Sequence, residues 1–172
     1  MKKVLIYGYG NPGRQDDALG ILLVEKMELW AKKNGLESID FDSNYQLNIE
    51  DALAISEYDI VIFADASIED IDGFIITPVK PCQKTEFTMH AMAPEFVLHL
   101  CHSLYNKFPN TYLVHLKGYE FEFYGALTSK AEKNLSDVFQ LLKMMLENTE
   151  NSKEQLDHFM SLQKKETKLS LL

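Results

Sequence analysis

The run Asp59-Ile60-Val61-Ile62-Phe63-Ala64, closed by Asp65, most limits how this chain can fold. Its apolar side chains alternate between the two sides of a strand, so both sides need cover. Such a strand belongs in the middle of a parallel sheet with helices on either face. Lys3 to Tyr7 is a second buried-strand run, ending at Gly8 and followed by a polar loop to Asp17. Beyond it, Leu19, Leu22, Leu23, Met27 and Trp30 recur at helical spacing and share one helix face, and Asn34-Gly35 marks the stop. Strand, loop and helix in this order open a βαβ unit.

The same reading continues to the end of the chain. Glu37 to Asp42 is expected as a strand and Ile49 to Ser56 as a short helix. Gly73 to Pro78 follows too closely for a helical crossover and is expected to run antiparallel. An irregular stretch carrying His90 leads to a helix from Ala93-Pro94-Glu95, with proline in its first turn and Phe96, Val97, Leu100, Cys101 and Leu104 as its buried stripe. Thr111 to Leu116 is a further strand, and Ser129 with Glu132 forms a capping box for a helix through Met145. Leu156, Phe159 and Met160 lie in a polar tail that is either amphipathic helix or loosely held. The expected fold is a three-layer α/β sandwich, a twisted and mostly parallel sheet of about five strands with helices on both faces. Residues 1–147 form that domain, and 148–172 are a helical or flexible extension of it. A chain of 172 residues suits one domain, which buries roughly 70% of its unfolded surface without a metal or disulfide staple.

Charge narrows the range of partners. The net charge is −9 and the 17 Lys and Arg are scattered, so no nucleic-acid footprint is visible. The apolar start stops at Gly8, short of the roughly 7 to 15 residues of a signal-peptide core. No run reaches the ~20 apolar residues needed to span a bilayer. Cys82 and Cys101 show neither CxxC nor metal-ligand spacing and are expected as reduced thiols. The expectation is a soluble cytoplasmic protein with neither a nucleic-acid nor a membrane partner.

Ligands of open α/β sheets bind beyond the carboxyl ends of the strands. Asp17 in the first loop, Asp65 at the end of a central strand and His90 in the loop before a helix are expected on that rim. Asp17 also suits a helix N-terminus, and Asp65 also suits a turn. Two carboxylates and an imidazole can hold zinc or nickel with coordination positions left open. His99 and His102 are placed on the solvated side of their helix, while His115 and His158 have no obvious partner. An unperturbed imidazole titrates near ~6.5, and both aspartates are expected to stay ionised well below that. Gly8-Tyr9-Gly10-Asn11-Pro12-Gly13 also matches the GxGxxG of dinucleotide-binding Rossmann-like proteins, with Asp40 or Asp42 as the ribose acid. Against that reading, Asp16 and Asp17 sit where a pyrophosphate would rest on the helix start.

The segment from Gly8 through Asn11-Pro12-Gly13, Asp16-Asp17 and Gly20 resembles the opening motif of the hydrogenase maturation endopeptidases. Those enzymes remove a C-terminal peptide from the large-subunit precursor of nickel-iron hydrogenases. Ile62-Phe63-Ala64-Asp65-Ala66 with Asp72-Gly73 resembles that family's second acidic motif, and Thr88-Met89-His90 its histidine motif. Gly118, Glu120, Gly125, Leu127 and Thr128 are similar to its closing loop. The resemblance runs from about residue 3 to about 146 with motif order kept. It implies an endopeptidase with Asp17, Asp65 and His90 as both catalytic and metal-contacting residues. It also implies nickel carried by the precursor, zinc as a possible substitute, and that precursor as partner. Gln15 and Ala18 stand where the family has small residues or glycine, and Glu120-Phe121-Glu122-Phe123 is more acidic and aromatic. A non-catalytic adaptor of the same fold would carry the same residues.

Overall fold

The computed structural model of the chain describes residues 1–82 and 92–169, with side chains as far as residue 165. β1 (Val4–Tyr9), β2 (Ile39–Asn44), β3 (Ile60–Ser67), β4 (Phe74–Pro78) and β5 (Asn110–Lys117) form a five-stranded sheet in the order β2-β1-β3-β5-β4. All neighbours are parallel except β4, which runs antiparallel to β5 at one edge. Val4 pairs with both Ile39 and Ile60, and Ile60 with Asn110, so the parallel strands start level and their carboxyl ends share one rim.

Strand alternation divides the core in two. Val4, Ile6, Ile60, Ile62, Ala64, Val114 and Leu116 pack with α1 (Leu19–Asn34) and α4 (Ser129–Leu146). Leu5, Tyr7, Val61, Phe63 and Leu113 pack with α2 (Asp51–Ile55) and α3 (Pro94–Tyr105). Fully burying each large apolar side chain contributes about 1.5–3 kcal/mol, so the central strands hold much of the fold together. α5 (Ser152–Leu169) brings Leu156 and Met160 into the first core. It also stacks Phe159 on Phe74 at 6.0 Å, and its Gln163 side chain accepts the Ile76 N–H of the edge strand at 3.1 Å. The sequence left this tail open between helix and loose chain, and these contacts make it a packed helix.

Several local expectations shift. β3 continues past Asp65 because Ala66 and Ser67 still find partners in Leu116 and Lys117. The N-cap of α4 is Thr128 instead of Ser129, with Thr128 Oγ1 accepting the Ala131 N–H at 3.3 Å. In α3 the buried side is Val97, Leu98 and Cys101, while Leu104 is 65% exposed. The expected stripe had Phe96, Leu100 and Leu104 with Val97 and Cys101, and packing on the sheet turns the helix toward Leu98 instead. That rotation draws His102 off the solvated side: its ring lies 4.6 Å from Phe108, and its buried Nε2 has no hydrogen-bond partner among the described residues.

Close backbone contact sets the start of α1. A Cβ on Gly8 would overlap the Gly20 carbonyl, and one on Gly20 would overlap the carbonyls of Ala64 and Tyr9. The helix is therefore pressed onto β1 and β3, which brings Asp17 over their ends. Gly20→Ala is expected to cost about 1–3 kcal/mol through overpacking against backbone, read as a lower urea midpoint. An unchanged midpoint would contradict this contact.

Candidate active site

The chain runs from β1 through α1 to β2, then returns through α2 to β3 on the other side of β1. The crevice opens where these directions reverse, between the carboxyl ends of β1 and β3. The loop after β1 is tightly folded. Asn11 Oδ1 accepts the Gly13 N–H at 2.9 Å, Asn11 O accepts the Arg14 N–H at 3.1 Å, and Arg14 O accepts the Asp17 N–H at 2.9 Å. Gly10, at φ +139°, lets the Asp17 carbonyl approach a position where any Cβ would collide. A 3-10 turn (Gln15–Ala18) then carries the two acids in opposite directions.

Asp17 stays partly exposed. Its Oδ2 accepts the Asn11 N–H at 3.3 Å and lies 3.6 Å from Arg14 Nη1. Asp65 faces it electrostatically from β3. Burial, together with the negative charge of Asp17, pushes the Asp65 carboxyl up to about 7, although the Ala66 N–H and the Tyr9 hydroxyl both donate to it. Tyr9 is held well above its ordinary value, first by burial and then by the charges of Asp65 and Glu95, so its phenol remains a proton donor. The structure therefore places Asp17 and Asp65 at the same end of the sheet, where the charge of Asp17 acts on Asp65. His90, the third sequence-predicted donor, lies outside the described residues.

Asp16 plays a different part from its neighbour. It is 0% exposed, and its carboxylate accepts the backbone N–H groups of Tyr119 (2.8 Å), Glu120 (3.2 Å) and Thr128 (2.8 Å) as well as the Thr128 hydroxyl (2.8 Å). Gln15, at φ +38°, reaches the same loop: its Nε2 donates to Glu120 Oε2 and Ala126 O, and its Oε1 accepts the Glu122 N–H at 2.8 Å. The local repulsion of two adjacent acids is thus relieved on one side by buried donors, leaving Asp17 for the crevice.

Sequence reasoning passed over Tyr9 and Glu95. Tyr9 continues the alternation of Leu5 and Tyr7 to the rim, and a buried phenol needs a partner, a signal that pointed toward a carboxylate at the neighbouring strand end. His115 is the register partner of Asp65 on β5, and its Nε2 lies 2.9 Å from Thr77 Oγ1. Glu95, in the first turn of α3, adds its negative charge to the surroundings of both Tyr9 and His115.

Two carboxylates at one end of the sheet, one of them driven toward its neutral form mainly by burial and further by the charge of the other, suit a divalent cation, whose charge favours both ionised forms. Among the described residues no set of three His, Cys, Asp or Glu forms a metal site. Asp17 and Asp65 supply two donors, and His90 is the residue that the sequence offers as the third.

Neither a scan against protein-family models nor a search of curated proteins finds a match. Solved structures do match. The [NiFe] hydrogenase maturation protease HycI from Thermococcus kodakarensis KOD1 superposes with a TM-score of 0.69 at 20% identity, covering 86% of this chain and 94% of that one. The hydrogenase maturating endopeptidase HybD from E. coli gives a TM-score of 0.65 at 21% identity, over 86% and 93% of the two chains. A hydrogenase 2 maturation peptidase from Thaumarchaeota archaeon SCGC_AB-539-E09 gives 0.58 at 20% identity, over 82% and 96%. The fold, a mostly parallel α/β sandwich, is that of the hydrogenase maturation proteases.

Proposed function

We propose that this chain is an endopeptidase that removes the C-terminal peptide of a nickel-iron hydrogenase large-subunit precursor once nickel has been inserted. The observation that carries this reading is the fold shared with hydrogenase maturation proteases, with Asp17 on the turn after β1 and Asp65 on β3 at the same end of the sheet. Nickel arrives with the precursor and is held by Asp17, Asp65 and His90. It offsets the repulsion between the carboxylates, so an unloaded precursor lacks the interaction that seats it. Tyr9 orients Asp65 through its hydroxyl. Zinc, with similar ligand preferences, is a possible substitute. No helix among the described residues is long and apolar enough to cross a membrane, and the reading assigns the activity to the cytoplasm.

Dinucleotide binding is disfavoured by the glycine loop itself. The N–H groups of Gly13, Arg14, Asp16 and Asp17, which could have cradled a pyrophosphate, are bonded to Asn11 Oδ1, Asn11 O, Glu120 O and Arg14 O. NAD and NADP are expected to show no saturable heat of binding at physiological salt, and micromolar affinity would reverse the ranking. A non-cleaving adaptor is separated only by turnover. Incubation of the purified chain with nickel-loaded and nickel-free precursor is expected to shorten only the loaded one. Equal cleavage of both, or of neither, removes the proposal.

A further inference from the structure

The loop from Gly118 to Thr128 is held in place with unusual thoroughness for a segment that presents large apolar side chains to water. Asp16 and Gln15 bind its backbone as described, Arg14 Nε donates to Phe121 O at 3.2 Å, and Gly13 O accepts the Tyr124 N–H at 3.0 Å. Yet Phe123 is 64% exposed and Tyr124 98% exposed, their ring centroids 6.3 Å apart. Tyr124 has φ +63°, a left-handed conformation that a bulky residue keeps only where its surroundings impose it. Single exposed apolar residues need no explanation. An adjacent aromatic pair on a loop whose backbone is fixed differs, because aromatics are the usual anchors of an interface.

Its position connects it to the crevice. The Arg14 guanidinium lies 5.5 Å from the centre of the Phe123 ring while its Nη1 is 3.6 Å from Asp17 Oδ2, so one side chain bridges the aromatic pair and the candidate metal-contacting acid. Besides Arg14, the loop itself carries two acidic residues, Glu120 and Glu122. Among the described residues no lysine or arginine forms an ion pair with Glu120 or Glu122. A second copy of the chain would set these glutamates against a surface of net charge −9, whereas a basic segment would complement them.

We propose that Phe123 and Tyr124, flanked by Glu120 and Glu122, form the docking point for an apolar and basic segment of the precursor, next to the site where it is cut. This rests on the endopeptidase reading and adds to it a specificity surface outside the metal-contacting residues. The test is steady-state cleavage and equilibrium binding of the nickel-loaded large-subunit precursor from the same organism, using the full chain. The double variant Phe123→Ser/Tyr124→Ser removes two largely exposed rings, one of them beside Arg14, and is expected to raise KM and Kd roughly tenfold with a much smaller change in kcat. Glu122→Lys is expected to raise KM roughly threefold at low salt and to abolish the tightening of binding that the unmodified chain shows as salt is lowered. Tyr124→Phe, which keeps the ring, is expected to retain near-normal KM. Normal cleavage by the unmodified chain with unchanged KM in the double variant overturns this inference alone. Neither binding nor cleavage by the unmodified chain overturns it together with the endopeptidase reading.

Discussion

Asp65→Asn is expected to lower precursor cleavage by on the order of a thousandfold, equivalent to about 4 kcal/mol of transition-state stabilisation, while making the metal-free protein more stable at pH 8. Both effects come from one carboxyl group. The amide still accepts a hydrogen bond from Tyr9 but cannot offer nickel a negative oxygen. For stability, the folded carboxyl is pushed up to about 7, mainly by burial and then by Asp17, whereas in the unfolded chain it titrates near ~3.9. Between these values the unfolded chain releases a proton that the folded chain retains. Stability therefore falls as pH rises from about 4 to about 7, by at most about 1.4 kcal/mol per pH unit, and levels off above. Urea unfolding at a series of pH values should show this slope in the metal-free parent and its loss in Asp65→Asn. An identical slope in both would assign it to another group.

The raised Asp65 also revises the pH dependence of metal capture. The sequence suggested that only His90 would exchange a proton near neutrality. With Asp65 at about 7, about two protons compete with the metal between pH 7.5 and 5.5. His90→Gln is therefore expected to keep a dependence of about one proton where a flat profile would otherwise follow. Chelator competition with nickel measures it, and a flat profile in that variant would show that Asp65 is ionised throughout.

The largest expected loss of stability belongs to Asp16, which touches no crevice. Asp16→Ala leaves the N–H groups of Tyr119, Glu120 and Thr128 and the Thr128 hydroxyl without their common acceptor in a buried setting. Hydrogen bonds to a charged group contribute about 1.5–3 kcal/mol each but are not additive. Buried donors left unsatisfied cost about 1–3 kcal/mol each, so the combined loss is expected near 3–5 kcal/mol. Thr128 is also the N-cap of α4, so the variant should free both the 118–128 loop and the first turn of that helix. Amide exchange should accelerate there before it does in β1 or β3. Asp16→Asn, which keeps one acceptor oxygen, should recover part of the loss. A destabilisation below about 1 kcal/mol would mean that water replaces the carboxylate.

Features governed by near neighbours were readable in the sequence. The unbroken apolar run at Ile60 to Ala64 required a central, doubly covered strand, and the spacing from Leu19 to Trp30 required a helix. The short connection before Phe74 implied the antiparallel edge. Asp17 and Asp65 were legible as rim residues because strand and loop positions determine which end of the sheet a residue reaches. His90 lies outside the described residues, so its place rests on sequence alone. Tertiary structure decided everything that depends on a partner far along the chain. Asp16 and Asp17 are adjacent and chemically identical. Only the loop more than a hundred residues later, with its unpaired backbone donors, makes one a buried anchor and leaves the other at the crevice. The sequence put Phe96, Leu100 and Leu104 in the buried stripe of α3 with Val97 and Cys101, and contact with the sheet instead buries Leu98 beside Val97 and Cys101 and leaves Leu104 exposed. The pKa of Asp65 was likewise beyond the sequence, because desolvation and the field of Asp17 arise only when separate segments exclude water around one carboxyl group.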